Sequence, residues 1–252
     1  MRLFLGLRSA FFWTLGIVHF FPAGTLLVLL GAFFGPRRLD PLLRAFCRNT
    51  VRCTGARFEV RRSPRFDPAR LSFFVCNHVD IFDPMLVYSA IPQFVRGLEL
   101  ESHFRVPVYG WIMQRFGNVP VPAEPTTASV RLLKQRCRAA LDAGTSLIVF
   151  PEGHRTLDGS VGLFRPGVFR MAREFGVAVV PMSIVGAFEL KRKGSWMLRP
   201  ARIVVRLHDT IDPAHPAFRD ERALRDAVHA IVSEPVEWLR SVSAPSTSRE
   251  TP

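Results

Sequence analysis

Residues 71–91 read "LSFFVCNHVDIFDPMLVYSAI". An apolar run from Leu71 to Cys76 stops at a polar group of Asn77, His78, Asp80 and Asp83, and a second apolar run starts at Pro84. A short unbroken apolar run is the pattern of a strand buried on both faces. Proline at the start of the next run suits the first position of a helix, with Asp83 as its N-cap. The stretch therefore predicts strand, loop, helix. Its loop is either a capped turn or a place where His78 and Asp83 do chemistry.

The same alternation continues on both sides. Upstream, "DPLLRAFCRNTVRCTG" (40–55) has apolar residues at helical spacing, with Asp40 as N-cap, and "RFEV" (57–60) is a strand candidate. Downstream, "TTASVRLLKQRCRAALDAG" (126–144) is an amphipathic helix with Val130, Leu133, Cys137 and Leu141 on one side and Gly144 at its end. "SLIVF" (146–150) is a buried strand leading into "PEGHRT" (151–156). "GVFRMAREFG" (167–176) is a helix, and "VAVVPMSIVG" (177–186) and "ARIVVRLHDTI" (201–211) are strands. Residues 221–242 are helical, with an interruption predicted at Pro235. Strands alternating with helices give an α/β fold, a mixed, largely parallel sheet flanked by helices. Three segments follow: 1–39 associating with a membrane, 40–242 forming the main domain, and 243–252 a disordered polar tail.

Length and composition fit one sizeable α/β domain with an appendage: 252 residues, 48% of them hydrophobic. The net charge is +13 and it is unevenly placed. No acid precedes Asp40, and from Arg44 to Arg70 eight arginines face only Glu59 and Asp67. A second block, Lys191, Arg192, Lys193, Arg199, Arg202 and Arg206, holds no acid. Such a field attracts nucleic acid, anionic lipid or a polyphosphate substrate; the bland alternative is an arginine-rich genome. No nucleic-acid motif is present. Cys47, Cys53, Cys76 and Cys137 lack CxxC and zinc-ligand spacing, which points to a reducing compartment and no metal site.

From Ser9 to Pro36 there is no charged residue, a length sufficient to cross a bilayer once. "PAG" at 22–24 splits it into halves too short to span alone, and both flanks are basic. The alternatives are a single anchoring helix, a helix pair bent at Pro22 that dips into one leaflet and keeps both basic flanks on the cytoplasmic face, or a buried core hairpin.

Histidine with a carboxylate is the usual means of removing a proton from a hydroxyl, the carboxylate fixing the ring's tautomer. An interval of five does not align two residues on one helix face, but it works if His78 lies in the turn and Asp83 opens the helix. One carboxylate oxygen then holds the helix start and the other orients the ring. The spacing alone is cheap: His215 and Asp220 repeat it after a proline-rich turn. In the second loop Arg155 can grip a phosphate with paired hydrogen bonds and Gly153 lets backbone approach a ligand; an internal Glu–Arg pair in a surface turn is the alternative.

With both loops in view, the sequence resembles the glycerolipid acyltransferase family, typified by lysophosphatidic acid (1-acylglycerol-3-phosphate) acyltransferase. The family's first motif, Asn-His-x4-Asp, is matched by Asn77, His78 and Asp83. Its third, Phe-Pro-Glu-Gly-x-Arg, is matched by Phe150 to Gly153 and Arg155, and "VVPMSIVG" matches a fourth. The resemblance covers residues 40–213, and the order and separation of the two main motifs are more specific than either alone. It implies transfer of a fatty acyl group from an acyl-CoA or acyl carrier protein thioester to a hydroxyl of a lysolipid, 1-acylglycerol-3-phosphate first, in phospholipid synthesis at a membrane, on the cytoplasmic face. His78 is then the general base, Asp83 its orienting partner, and Asn77, Glu152, Gly153 and Arg155 the acceptor-binding set, with no metal or bound cofactor. The second motif keeps Pro107, Gly110 and Trp111, but Ala123 stands where the family carries an arginine for the acceptor phosphate. Arg115 or the 191–193 block supplies that charge instead, or the acceptor is another lysolipid, such as a lyso-aminolipid. The competing class is a non-catalytic, membrane-tethered module that binds anionic lipid or nucleic acid.

Overall fold

The computed structural model describes residues 2–243. A seven-stranded sheet is formed by β1 (Arg57–Arg62), β2 (Ser72–Cys76), β3 (Val95–Leu100), β4 (Val119–Val121), β5 (Ser146–Val149), β6 (Ala178–Val185) and β7 (Arg202–Leu207). Their order across the sheet is β1-β7-β6-β2-β5-β3-β4. Every neighbouring pair is parallel except β6 and β7. This is the mixed, largely parallel sheet that the alternating pattern predicts, and β2 lies at its centre.

Side chains alternate across β2 and build two cores. Phe74 and Cys76 face one side, against α2 (Pro36–Arg52), α3 (Asp83–Ala90) and α4 (Tyr109–Arg115). Phe73 and Val75 face the other, against α5 (Thr127–Asp142), α6 (Gly167–Phe175) and α8 (Glu221–Ser243). All five β2 residues are buried, which is why the strand reads as a continuous apolar run. On α5, Cys137 and Leu141 are buried whereas Val130 is exposed, and Thr126 and Ser129 close a capping box at its start. A short α7 (Ala187–Leu190) follows β6.

Two prolines do not act as breakers. Helix α1 (Arg2–Leu30) runs unbroken through Pro22, and α8 runs through Pro235. Proline removes one backbone donor and disfavours a helix interior, yet Pro22 faces outward while Trp13, Gly24 and Leu27 are held by packing on either side. In α8, Val228, Val232 and Val236 anchor the helix across Pro235. The bend predicted at Pro22 is thus replaced by a turn at residues 31–35, after which α2 begins. The boundary set at residue 39 falls inside α2, and the tail beyond 243 lies outside the described residues.

Asp40 is also not a cap: α2 starts at Pro36 with Gly35 as N-cap. Instead the Asp40 carboxylate accepts from Arg44 Nε at 2.6 Å and Tyr88 Oη at 2.6 Å, and Arg96 Nη1 lies 3.3 Å away. Arg96, only 2% exposed, stacks on Phe94 at 3.9 Å. A buried guanidinium needs such a carboxylate and ring faces around it.

Helix α1 is long and apolar enough to cross a membrane, with a mean hydropathy of 1.7 over its best window. It does not project, however. It lies along the domain for most of its length. Ser9 Oγ accepts from Leu198 N at 3.0 Å, Trp13 Nε1 donates to Trp196 O at 2.7 Å, Phe12 covers Gly55, and Gly24 faces Val108. The opposite stripe, Phe4, Leu7, Phe11, Leu15 and Val18, is exposed.

Candidate active site

The first loop leaves the carboxyl end of β2, where open α/β sheets place their ligands. His78 Nδ1 lies 2.7 Å from Asp83 Oδ2. The same oxygen accepts the backbone N–H of Val79 and, at 2.9 Å, that of Asp80. Asp83 is therefore the first residue of α3, behind an N-cap at Phe82, and not the cap itself. One oxygen does all of this work, which replaces the expected division between its two oxygens.

An oxygen that collects three N–H donors is held in its charged form. Burial opposes this and raises its pKa, with the Val79 and Asp80 N–H groups pulling it back down; the three donors keep it ionised beside His78. The donor pattern assigns the Nδ1 proton to the His78–Asp83 contact and leaves Nε2 as the bare nitrogen, which has no hydrogen-bond partner among the described residues. Burial lowers His78 to about 4, against the opposing pull of Glu152 and Glu99, so the ring is neutral near pH 7. The ring is one-fifth exposed and stacks on Phe150, centroids 4.5 Å apart at 25°. A neutral imidazole, oriented on one side and open on the other, is equipped to take a proton from a hydroxyl.

The second loop, after β5, is welded to the first. Glu152 Oε1 accepts from His78 N at 2.7 Å, and Thr156 N donates to His78 O at 2.9 Å. Glu152 Oε2 accepts from Gly162 N at 2.8 Å. A Cβ at residue 162 would meet that oxygen at 2.8 Å, so only glycine allows the approach. Glu152 is 3% exposed, and both of its oxygens are engaged within the chain. Its carboxylate holds the His78 backbone. Asn77 is likewise engaged within the chain. Its Oδ1 accepts from Ile184 N at 2.7 Å and its Nδ2 donates to Ile184 O at 3.0 Å, pinning β2 to β6.

Gly153 and Arg155 remain at the surface of the site. Gly153 has φ +74°, and the guanidinium of Arg165 packs against it. Arg155 is half-buried and makes no hydrogen bond among the described residues. Lys191 is 7% exposed, its Nζ donates to Ser195 O at 2.6 Å, and burial lowers its pKa while Asp80 raises it and Arg155 lowers it. Asp80 and Arg155 act electrostatically on both Lys191 and His78. Sequence reading named Phe150 and Asp80 without giving either a role, and it did not single out Arg165. Phe150 ended an apolar run, and only the fold turns its ring onto His78. Ala123 follows β4, whose end lies level with that of β3 through the pairing of Leu100 with Val121. The position is at the site end of the sheet and carries no charge. The decoy is resolved as well: His215 Nδ1 accepts from Ala217 N and Asp220 Oδ2 from Ala223 N, both exposed and apart. No group of three His, Cys, Asp or Glu side chains is placed to hold a metal ion among the described residues.

A family model described as Acyltransferase matches residues 57–185, from β1 to the end of β6 and including both loops. The chain belongs to the acyltransferase family. The chain is 30% identical over 162 residues to a 1-acyl-sn-glycerol-3-phosphate acyltransferase of Chlamydomonas reinhardtii, covering 64% of this chain and 48% of that one. It is 34% identical over 139 residues to a chloroplastic 1-acyl-sn-glycerol-3-phosphate acyltransferase of Arabidopsis thaliana, covering 55% and 38%. A lyso-ornithine lipid O-acyltransferase of Pseudomonas aeruginosa is 32% identical over 133 residues, covering 52% and 49%. The chain spans about half the length or less of these curated relatives. The crystal structure of the 1-acyl-sn-glycerophosphate acyltransferase PlsC from Thermotoga maritima shares the fold, with a TM-score of 0.81 at 23% identity over 97% of this chain and 99% of that one.

Proposed function

We propose that this acyltransferase moves a fatty acyl group from a thioester to a hydroxyl of a lysolipid at a membrane surface. The observation that carries the reading is the 2.7 Å contact of His78 Nδ1 with Asp83, which leaves a neutral ring open at Nε2. Nε2 takes the acceptor's hydroxyl proton as that oxygen attacks the thioester carbonyl carbon. The tetrahedral intermediate collapses, the carbon–sulfur bond breaks, and the imidazolium returns the proton to the leaving thiolate. The ester and a free thiol are the products, and no acyl-enzyme forms. Asp83 stabilises the imidazolium without becoming the base itself.

The acceptor's headgroup sits against Arg155 and Arg165, the two guanidinium groups that the segment between β5 and α6 leaves accessible around Gly153. Acceptors with a terminal phosphate, such as 1-acylglycerol-3-phosphate, fit this pair. The second reading, a lyso-aminolipid, is favoured by one observation: the site end of β4 offers Ala123 and not an arginine. Helix α1 lies in the plane of the membrane surface. A helix packed along a folded domain over most of its length cannot also stand across the bilayer, and its exposed apolar stripe suits one leaflet. Assay of Arg155→Ala against a panel of lysolipids tests the acceptor side. The apparent KM for a phosphate-bearing lysolipid should rise about tenfold or more, as loss of a charge-assisted hydrogen bond requires. An effect confined to the thioester's KM would contradict the assignment.

A further inference from the structure

A cavity of about 530 Å³ lies away from His78, between α2 and the edge strand β1. It is lined by Arg48, Arg52, Arg57, Arg62, Phe58 and Ser89, among others, with no acid in the lining. Arg52 bonds Asn49 and Arg62 bonds the Ala90 carbonyl, and no ion pair ties any of the four arginines to a carboxylate among the described residues. Glu59, the acid nearest in sequence, is taken by Arg61 and Arg202. Four uncompensated guanidinium groups around one cavity repel one another, and an anionic ligand relieves this.

We infer that this cavity binds the nucleotide end of an acyl-CoA donor, its 3′-phosphate and diphosphate on the arginines and its base on Phe58. The inference rests on the thioester-dependent reading above. Three observations favour this occupant over a lipid headgroup. The volume lies within the range of small-molecule and cofactor sites. Guanidinium groups match phosphates with paired hydrogen bonds, and an aromatic face accepts a base. The position is also on the aqueous side. Phe46 meets His19 and Phe20 of α1 at 5.4 and 5.2 Å, and at 100° per residue Arg48 and Arg52 lie about 200° and 240° round α2 from it. The arginines therefore turn away from the helix that carries the apolar stripe.

The sheet register sets the reach. Arg62 pairs with Leu207, Leu207 with Met182, and Met182 with Cys76, two residues before His78. Three strand spacings separate the cavity from the catalytic loop, about 14 Å. The pantetheine arm of coenzyme A joins a thioester to its diphosphate over a gap of that order.

The test uses the full chain in vesicles and the double variant Arg48→Glu/Arg52→Glu. Turnover is measured with acyl-CoA and with S-acyl-pantetheine, which lacks the nucleotide, and binding of adenosine 3′,5′-bisphosphate is measured directly. The ratio of kcat/KM for acyl-CoA to that for acyl-pantetheine should fall about tenfold or more, with loss of bisphosphate binding. An unchanged ratio with unchanged bisphosphate binding overturns the inference. So does loss of anionic-vesicle binding with the ratio intact, which would assign the arginines to lipid, or use of acyl carrier protein alone as donor. If no thioester is consumed with any acceptor, the acyl-transfer reading fails, and the bisphosphate measurement still decides the cavity.

Discussion

At the scale of single residues, the site is a histidine held from three directions. Asp83 grips Nδ1, Phe150 backs the ring, and Glu152 fixes the backbone N–H. On the proposed function Glu152 is a positioning residue, and one variant distinguishes that role from acceptor binding. In Glu152→Gln the amide NH2 faces one of the two N–H donors that now point at the carboxylate. The variant should lose kcat by about tenfold or more while the KM for the acceptor hardly moves, as expected when a base is displaced and not a binding group. A rise in acceptor KM alone would return Glu152 to the binding set. The buried ring also sets a pH dependence. A base with a lowered pKa is active above that pKa and fails as pH falls through it. Because burial lowers His78 from the usual ~6.5, the acid limb of kcat/KM should lie below that value, toward about 4. A profile that falls off above ~6.5 would contradict the neutral-ring account.

At the scale of elements, the legible parts of the chain were those whose structure a single local effect decides. The buried strands β2, β5 and β6 announced themselves because both faces are apolar, and both polar loops were placed by following them. Strands β3 and β4 were missed. β3 carries Arg96, Gly97 and Glu99, and it is acceptable inside a sheet only because Asp40, distant in sequence, neutralises Arg96. β4 is a three-residue edge strand with Pro120 at its middle, where proline costs a sheet least. Asp40 itself looked like a cap because its buried partners cannot be seen locally. Pro22 and Pro235 misled for the same reason: long helices packed on both sides of a proline absorb a missing hydrogen bond. The docking of α1 depends on such a long-range fit at Gly55. That residue has φ +73°, and a Cβ there would lie 2.4–2.8 Å from three atoms of the Phe12 ring. Gly55→Ala should therefore loosen α1, costing about 1–3 kcal/mol from the left-handed backbone and overpacking together. Faster limited proteolysis at the 31–35 turn with a lowered Tm would show it; wild-type protection would not fit.

At the scale of the whole molecule, three environments lie around the sheet. Helix α1 presents an apolar stripe, the loops after β2 and β5 present His78 and two arginines, and the arginine-lined cavity lies between α2 and β1. On the proposed function, a lysolipid held at a membrane face and a soluble thioester would approach His78 from different sides, which accounts for the uneven charge of the sequence better than a general affinity for anions. The residue on which all of this converges is His78. The most direct measurement is acyl transfer by His78→Ala, with acyl-CoA and acyl carrier protein donors, a panel of lysolipids, and circular dichroism and Tm to confirm the fold. The account predicts a loss in kcat of about 10²–10⁴-fold with wild-type Tm to within a few degrees. Transfer at the wild-type rate by a folded His78→Ala protein would contradict it.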